Sequence, residues 1–157
     1  MSKVVVISGS SGGLGKALVE TYVKEDFFVL GLDKKPSSKP SETQRELELD
    51  LHNLAKDEKY RKKFFKSVGS IIPTKLEKFV LINNAAEQII GSISELNWQE
   101  WEKSFAVNSV APFFLAQGFI NQLIQARGHI VNISSIHTKL TKPKFTCYAS
   151  SKSALES

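Results

Sequence analysis

The sequence predicts an α/β domain, a parallel sheet wound on both faces by helices, and three observations predict it. Short, fully apolar runs recur, as strands buried on both faces require. Between them lie longer stretches whose apolar residues fall at helical spacing. The two kinds alternate regularly along all 157 residues, the order expected of a doubly wound sheet of about five strands. The hydrophobic fraction is 41% and the charged fraction 24%. At this size a domain buries roughly 70% of its unfolded surface. Residues 1–157 read as one domain, with no internal repeat and no linker.

The elements follow in order. Val4-Val5-Val6-Ile7 is the first strand. Gly9-Ser10-Ser11-Gly12-Gly13-Leu14-Gly15 leaves it and opens a helix, with Leu14, Leu18 and Tyr22 at helical spacing. Phe27-Phe28-Val29-Leu30 begins a second buried strand, which Asp33 ends. Residues 34–41 hold two prolines and three serines, the composition of a loop. Leu47-Glu48-Leu49 alternates and reads as a third, edge-like strand. A polar helix over about residues 53–68 follows, then Phe79-Val80-Leu81-Ile82 as the fourth strand. Asn97 begins a long helical stretch, with Glu100 three residues on in a capping-box arrangement. His129-Ile130-Val131-Asn132-Ile133 is the fifth strand, and a loop over residues 136–146 leads to a last helix starting near Cys147.

Composition excludes several classes. A single cysteine, Cys147, rules out a disulfide scaffold. It has no second thiol, acid or histidine set beside it and reads as a small apolar residue. No apolar run approaches the ~20 residues of a membrane helix. A strand starting at Val4 leaves no room for a signal peptide, so a cytoplasmic location is the expectation. The net charge of +5 raises the question of nucleic acid. The densest basic stretch is Lys59, Arg61, Lys62, Lys63 and Lys66, interleaved with Tyr60, Phe64, Phe65 and Val68. That pattern reads as an amphipathic helix with a solvated basic face, in preference to a phosphate track. No nucleic-acid motif accompanies it. His52 and His129 are isolated and no metal-ligand spacing exists, so no metal is expected.

The glycine loop carries the first functional signal. Glycines allow a tight turn and let backbone approach a pyrophosphate without Cβ clashes. The phosphate then meets the free N–H groups of the helix N-terminus. Taken alone, the same pattern also fits a flexible Gly-Ser turn. Asp33 strengthens the first reading: it stands eighteen residues beyond Gly15, where a carboxylate accepts both ribose hydroxyls of an adenosine. Its charge repels a 2′-phosphate, which favours NAD(H) over NADP(H). Lys34 and Lys35 blunt that preference, and a solvated turn aspartate is the bland alternative.

Ser8-Gly9-x-x-x-Gly13-x-Gly15 resembles the loop of the short-chain dehydrogenase/reductase family, with serine in place of the usual first threonine. Asn83-Asn84-Ala85-Ala86 resembles the family's Asn-Asn-Ala-Gly, alanine replacing the glycine. Asn132-Ile133-Ser134-Ser135 is similar to the end of its fifth strand, and Tyr148-Ala149-Ser150-Ser151-Lys152 fits Tyr-x-x-x-Lys. The order and intervals hold from residue 3 to residue 157. The resemblance implies a Rossmann-like NAD(P)-binding domain and an oxidoreductase interconverting alcohols with ketones or aldehydes.

On a helix, Tyr148 and Lys152 share one face. A free phenol releases its proton near pH ~10. An ammonium ~4 Å away, at an effective dielectric of 20, favours the phenolate by about 4 kcal/mol, the scale a phenol needs to act as a base near neutrality. Without the glycine loop, the pair would read as an idle surface contact. Ser135 sits at the carboxyl end of the fifth strand, where ligands of open α/β sheets bind. The resemblance gives it the substrate oxygen; Ser134 is the weaker candidate, and either could simply cap the strand end. Pro112 lacks an N–H, so the carbonyl of Asn108 four residues earlier goes unpaired. By resemblance Asn108 sits at a kink and holds a water that joins the lysine to solvent; otherwise the kink serves packing. Also by resemblance, Tyr148 is the general acid/base and Lys152 bonds the nicotinamide ribose. Asp50 with Leu51 contacts the adenine, and Asn84 lies along the cofactor.

Trp98, Trp101, Phe105, Phe113, Phe114 and Phe119 are expected to pack the sheet or a subunit partner, since the resemblance places dimer interfaces on this helix and the last one. A homo-oligomer acting on a small alcohol or carbonyl compound follows. His137, between Ser135 and Tyr148, reads as a structural or solvated loop histidine. Members of the family usually run to roughly 200–250 residues, whereas this chain stops five residues after Lys152. The resemblance therefore implies a domain incomplete at its C-terminus, without the sixth and seventh strands. It leaves the fifth strand as an apolar open edge. Substrate identity is read largely beyond that point, so the loop over residues 136–146, with Lys139, Lys142 and Lys144, is the only candidate wall; its lysines suit an acidic substrate, but it reads first as a solvated loop. The alternative function is a catalytically silent dinucleotide-binding module, a sensor or interaction protein.

Overall fold

The computed structural model describes residues 2–36 and 43–157, so residues 37–41 of the loop expected over 34–41 lie outside the described residues. Five parallel strands form one sheet: β1 (Ser2–Ser8), β2 (Phe28–Asp33), β3 (Gln44–Glu48), β4 (Leu76–Asn83) and β5 (His129–Asn132). Their order across the sheet is β3-β2-β1-β4-β5. This is the expected Rossmann-like architecture, and β3 is indeed an edge strand. The chain winds outward from β1 to β3, then returns to lay β4 on the other side of β1. The crevice opens where that direction reverses, beyond the carboxyl ends of β1 and β4.

Strand periodicity explains the two layers. Val4 and Val6 point to one face with Leu30, Leu32 and Leu81, and pack against Leu54, Phe64, Val107, Leu115 and Phe119. Val5 and Ile7 point to the other with Val29 and Ile82, covered by Leu18, Val19 and Tyr22 of α1 (Gly13–Lys24). A strand clothed on both faces has no polar side, which is why β1 reads as an unbroken apolar run.

The polar helix expected over residues 53–68 is two helices, α2 (Leu51–Lys56) and α3 (Glu58–Val68). Asp57 breaks it: its extended backbone stops one helix, and its carboxylate accepts from the N–H groups of Lys59 and Tyr60 to start the next. α3 buries Phe64 and Val68 and leaves Lys62 outside, paired with Glu58 one turn away. The long helix after Asn97 begins with the expected capping box but is also segmented. α4 (Trp98–Phe105) passes through a π-helical turn at Ala106–Val110 into α5 (Ala111–Gly118), and α6 (Ile120–Ala126) follows. Its aromatics divide. Phe119 is buried against Phe65 and Phe79, whereas Trp98 and Phe113 are exposed. A 3-10 turn at Ile136–Thr138 and α7 (Thr146–Glu156) complete the described chain. β5 ends the sheet, with Ile130 and Val131 exposed. No helix among the described residues is long and apolar enough to cross a membrane.

Candidate active site

The crevice holds a cavity of about 360 Å³, lined by Gly9, Gly12, Gly13, Leu14, Gly15, Leu32, Asp33, Leu51 and Asn84 among others. Its loop is shaped by two glycines. Gly9 has φ +69°, and a Cβ there would stand 2.9 Å from the Ala85 Cα. At Gly15 a Cβ would lie 2.0 Å from the Gly9 carbonyl oxygen. Gly12 is the N-cap of α1, which has no side-chain cap and no acidic residue in its first turn. The N–H groups of Gly13, Leu14 and Gly15 have no partner inside the helix, so they remain for an anion. A Cβ on Gly13 would meet nothing within 4 Å. That open cradle at a positive helix end fits a pyrophosphate.

Asp33 stands at the cavity wall, its carboxylate accepting from the N–H groups of Ser11 (3.1 Å) and Lys35 (3.0 Å). It ties the glycine loop to the end of β2 and fixes its own orientation toward the cavity. Ser11 donates its hydroxyl to the Lys35 carbonyl, and Ser10 is buried beneath the loop. Asn84 lines the cavity and also holds the loop, its amide donating to the carbonyls of Ser8 (2.9 Å) and Gly9 (3.1 Å). Ser8 completes the joint from the other side: its hydroxyl accepts from the N–H groups of Asn84 and Ala85. Leu51 reaches the cavity, whereas Asp50 caps α2 and pairs with Lys34 at 3.7 Å.

The second cluster lies on α7. Tyr148 and Lys152 are both buried, one turn apart. Lys152 is 1% exposed and donates to the Ile133 carbonyl at 2.7 Å; burial pulls its pKa below the ordinary lysine range. Ser135 starts the 3-10 turn, its hydroxyl accepting from the His137 N–H at 3.2 Å. Ser134 turns away and donates to Glu156.

Asn108 connects the two clusters. It is fully buried in the π-turn, where the Ala111 N–H bonds the Ala106 carbonyl five residues back. Pro112 is the residue that cannot return a bond to the Asn108 carbonyl. The Asn108 side chain accepts from the Glu87 N–H (2.8 Å) and donates to the Glu87 carbonyl (2.9 Å) and to Ser151 (2.9 Å). Ser151 in turn donates to the Tyr148 carbonyl. Glu87 lines the cavity, so one asparagine fixes the cavity wall to the tyrosine helix.

The sequence reading missed several partners. Buried Ser104 lies 3.0 Å from Ser151, and no local pattern marks it. His52, read as isolated, meets Glu102 at 2.9 Å across fifty positions. Cys147 is buried as expected, and burial raises its pKa.

Comparison with known proteins gives a consistent set. The model of the short chain dehydrogenase family matches residues 3–157. The chain is 28% identical over 163 residues to glucose 1-dehydrogenase 2 of Bacillus subtilis, covering 98% of this chain and 62% of the relative. It is also 28% identical over 160 residues to the NAD-dependent glycerol dehydrogenase of Listeria innocua, covering 99% of this chain and 61% of the relative. The solved structure of 4-hydroxyisoleucine dehydrogenase complexed with NADH superposes with a TM-score of 0.84 at 27% identity, covering 98% of this chain and 63% of that one. The chain thus spans just over three fifths of the length of these proteins.

Proposed function

The chain belongs to the short-chain dehydrogenase family, and from that membership we propose that it binds NAD(H) in the glycine-lined cavity and interconverts an alcohol with its ketone or aldehyde. The observation that carries the reading is the Asn108 bridge, which joins Glu87 at the cavity wall to the helix that bears the buried tyrosine–lysine pair. Asp33 and Gly13 are the residues that suit the dinucleotide, through its ribose and its pyrophosphate. When bound, the nicotinamide supplies the hydride acceptor or donor. Ser135 positions the substrate oxygen, and Tyr148 takes the hydroxyl proton or returns it to the carbonyl oxygen. Lys152 stabilises the phenolate and contacts the nicotinamide ribose. Names among the relatives, glucose and glycerol dehydrogenases, support a hydroxylated small molecule as substrate.

Tyr148→Phe tests the reading. A positioned acid/base contributes roughly 10²–10⁴ in rate, so NAD⁺ reduction with a panel of polyols should fall by about that factor. NADH binding, followed by its fluorescence, should persist. Unchanged turnover in the variant refutes the role of the tyrosine. Wild-type protein that binds NADH yet reduces no NAD⁺ is instead a silent dinucleotide-binding module.

A further inference from the structure

We propose that Glu102 is a positioning residue for the adenine half of the cofactor: by gripping α2 through His52 and Lys56, it sets the apolar wall of Leu51 and Val107 against which the base packs. This deepens the proposed function and rests on NAD(H) as the ligand of the glycine-lined cavity.

Three observations converge on this carboxylate. The first is where the base goes. A pyrophosphate falls at the N-terminus of α1, and Asp33 at the end of β2 suits the adjoining ribose. The tyrosine helix lies at the other side of the crevice, where Lys152 bonds the Ile133 carbonyl just past β5. The base therefore belongs on the β2–β3 side. Leu49 and Leu51 line the cavity there, and Val107 of the π-turn adds to them. Such an apolar lining suits a flat heterocycle.

The second is how that wall is built. Leu51 begins α2, a helix of six residues, whereas Val107 sits in the π-turn that follows α4. Both belong to one apolar cluster with Leu54, Ala111 and Leu115. Apolar contact is non-directional, so it leaves the exact seat of so short a helix to polar bonds.

The third is the grip. Glu102 of α4 meets His52 Nε2 at 2.9 Å through Oε2 and Lys56 Nζ at 3.4 Å through Oε1. His52 and Lys56 are one turn apart on α2 and share a face, so the two oxygens of one carboxylate hold the helix at two points. Among the described residues, the side-chain polar bonds between α2 and α4 all run through this carboxylate. The bond to His52 is the main cause that holds the Glu102 carboxyl below the ordinary carboxylate range, so it stays an acceptor at neutral pH. The His52 backbone is fixed too, its N–H donating to the Asp50 carboxylate at 2.8 Å. His52 directly follows Leu51, so a shift of the imidazole is carried to the leucine at the cavity wall.

Binding of two half-cofactors to the full chain tests this. ADP-ribose carries the adenine, and reduced nicotinamide mononucleotide lacks it; each is measured by its competition with NADH fluorescence. Glu102→Ala should weaken ADP-ribose about 3- to 30-fold and leave the mononucleotide within about twofold. His52→Ala should weaken ADP-ribose by a similar factor, and the double variant should lose little more than either single one. Glu102→Gln keeps an oxygen for His52 and should recover most of the affinity, because an ion pair with a half-exposed Lys56 adds little. An equal loss for both halves overturns the proposal, since a merely structural role moves them alike. So does a Gln variant that binds ADP-ribose no better than the Ala variant. Wild type that binds neither NADH nor ADP-ribose overturns the proposed function with it. Wild type that binds both, with Glu102→Ala unaltered, overturns the glutamate alone.

Discussion

Lys152 shows what one residue costs this fold. Its ammonium is enclosed and meets the Ile133 carbonyl at 2.7 Å, and burial lowers its pKa from the ordinary lysine value. In the unfolded chain the same group keeps the ordinary value. Between the folded and unfolded values the unfolded state binds more protons, so stability rises with pH across that window. Below the folded value the full penalty of a buried charge is present. We therefore expect the denaturation free energy of wild type, minus that of Lys152→Met, to climb as pH is raised from neutrality toward the ordinary lysine value. Urea denaturation at a series of pH values measures it. A difference that is flat or declines with pH contradicts this account of the lysine. The penalty suits a residue retained for chemistry, because a methionine would fill the same space more cheaply.

At the scale of elements, the central strands were legible because each is buried on both faces and so carries no polar alternation to confuse. Val4 to Ile7 and Phe79 to Ile82 announced themselves. Helix breaks were not legible. Asp57 ends one helix and caps the next within a stretch whose composition is helical throughout. The π-turn at Ala106–Val110 differs from an α-helix by a single hydrogen-bond step, which residue spacing does not encode. Pro112 gave the only hint of it. The glycine loop is a junction between strand and helix whose spacing does carry information, and one tight position and one open position in it make a paired prediction. Gly15→Ala places a methyl 2.0 Å from the Gly9 carbonyl, so it should destabilise by about 1–3 kcal/mol or more. Gly13→Ala places one in open space and should leave stability within about 0.5 kcal/mol of wild type, while weakening NADH by crowding the cradle. Urea midpoints and NADH titrations separate the two. Equal destabilisation by both would mean that the loop is not shaped by the contact at Gly15.

Across the whole molecule, the crevice is the seam between two halves of the sheet. Ser8 and Asn84 stitch β1 to the segment after β4, and Asp33 stitches β2 to the glycine loop. The candidate site residues most legible in the sequence were those set by local spacing: the loop, Asp33, and Tyr148 with Lys152. What the sequence hid are partnerships between chain segments far apart, as His52 with Glu102 or Ser104 with Ser151, where no spacing rule operates. A ligand bound across the seam holds β1, β2 and β4 together, so its binding energy should appear as stability of the entire fold. At one hundred times Kd, a ligand specific for the folded state adds about 2.7 kcal/mol. For a domain of this size each kcal/mol raises Tm by roughly 2–4 °C, which predicts a rise of about 5–11 °C with NADH. NADPH at the same concentration should give a smaller rise if the Asp33 carboxylate at the cavity wall stands beside the ribose, since its charge would repel a 2′-phosphate. Asp33→Asn removes that charge and should narrow the gap between the two cofactors. Equal shifts with NADH and NADPH in wild type would mean that Lys34 and Lys35 outweigh the carboxylate at the cavity wall.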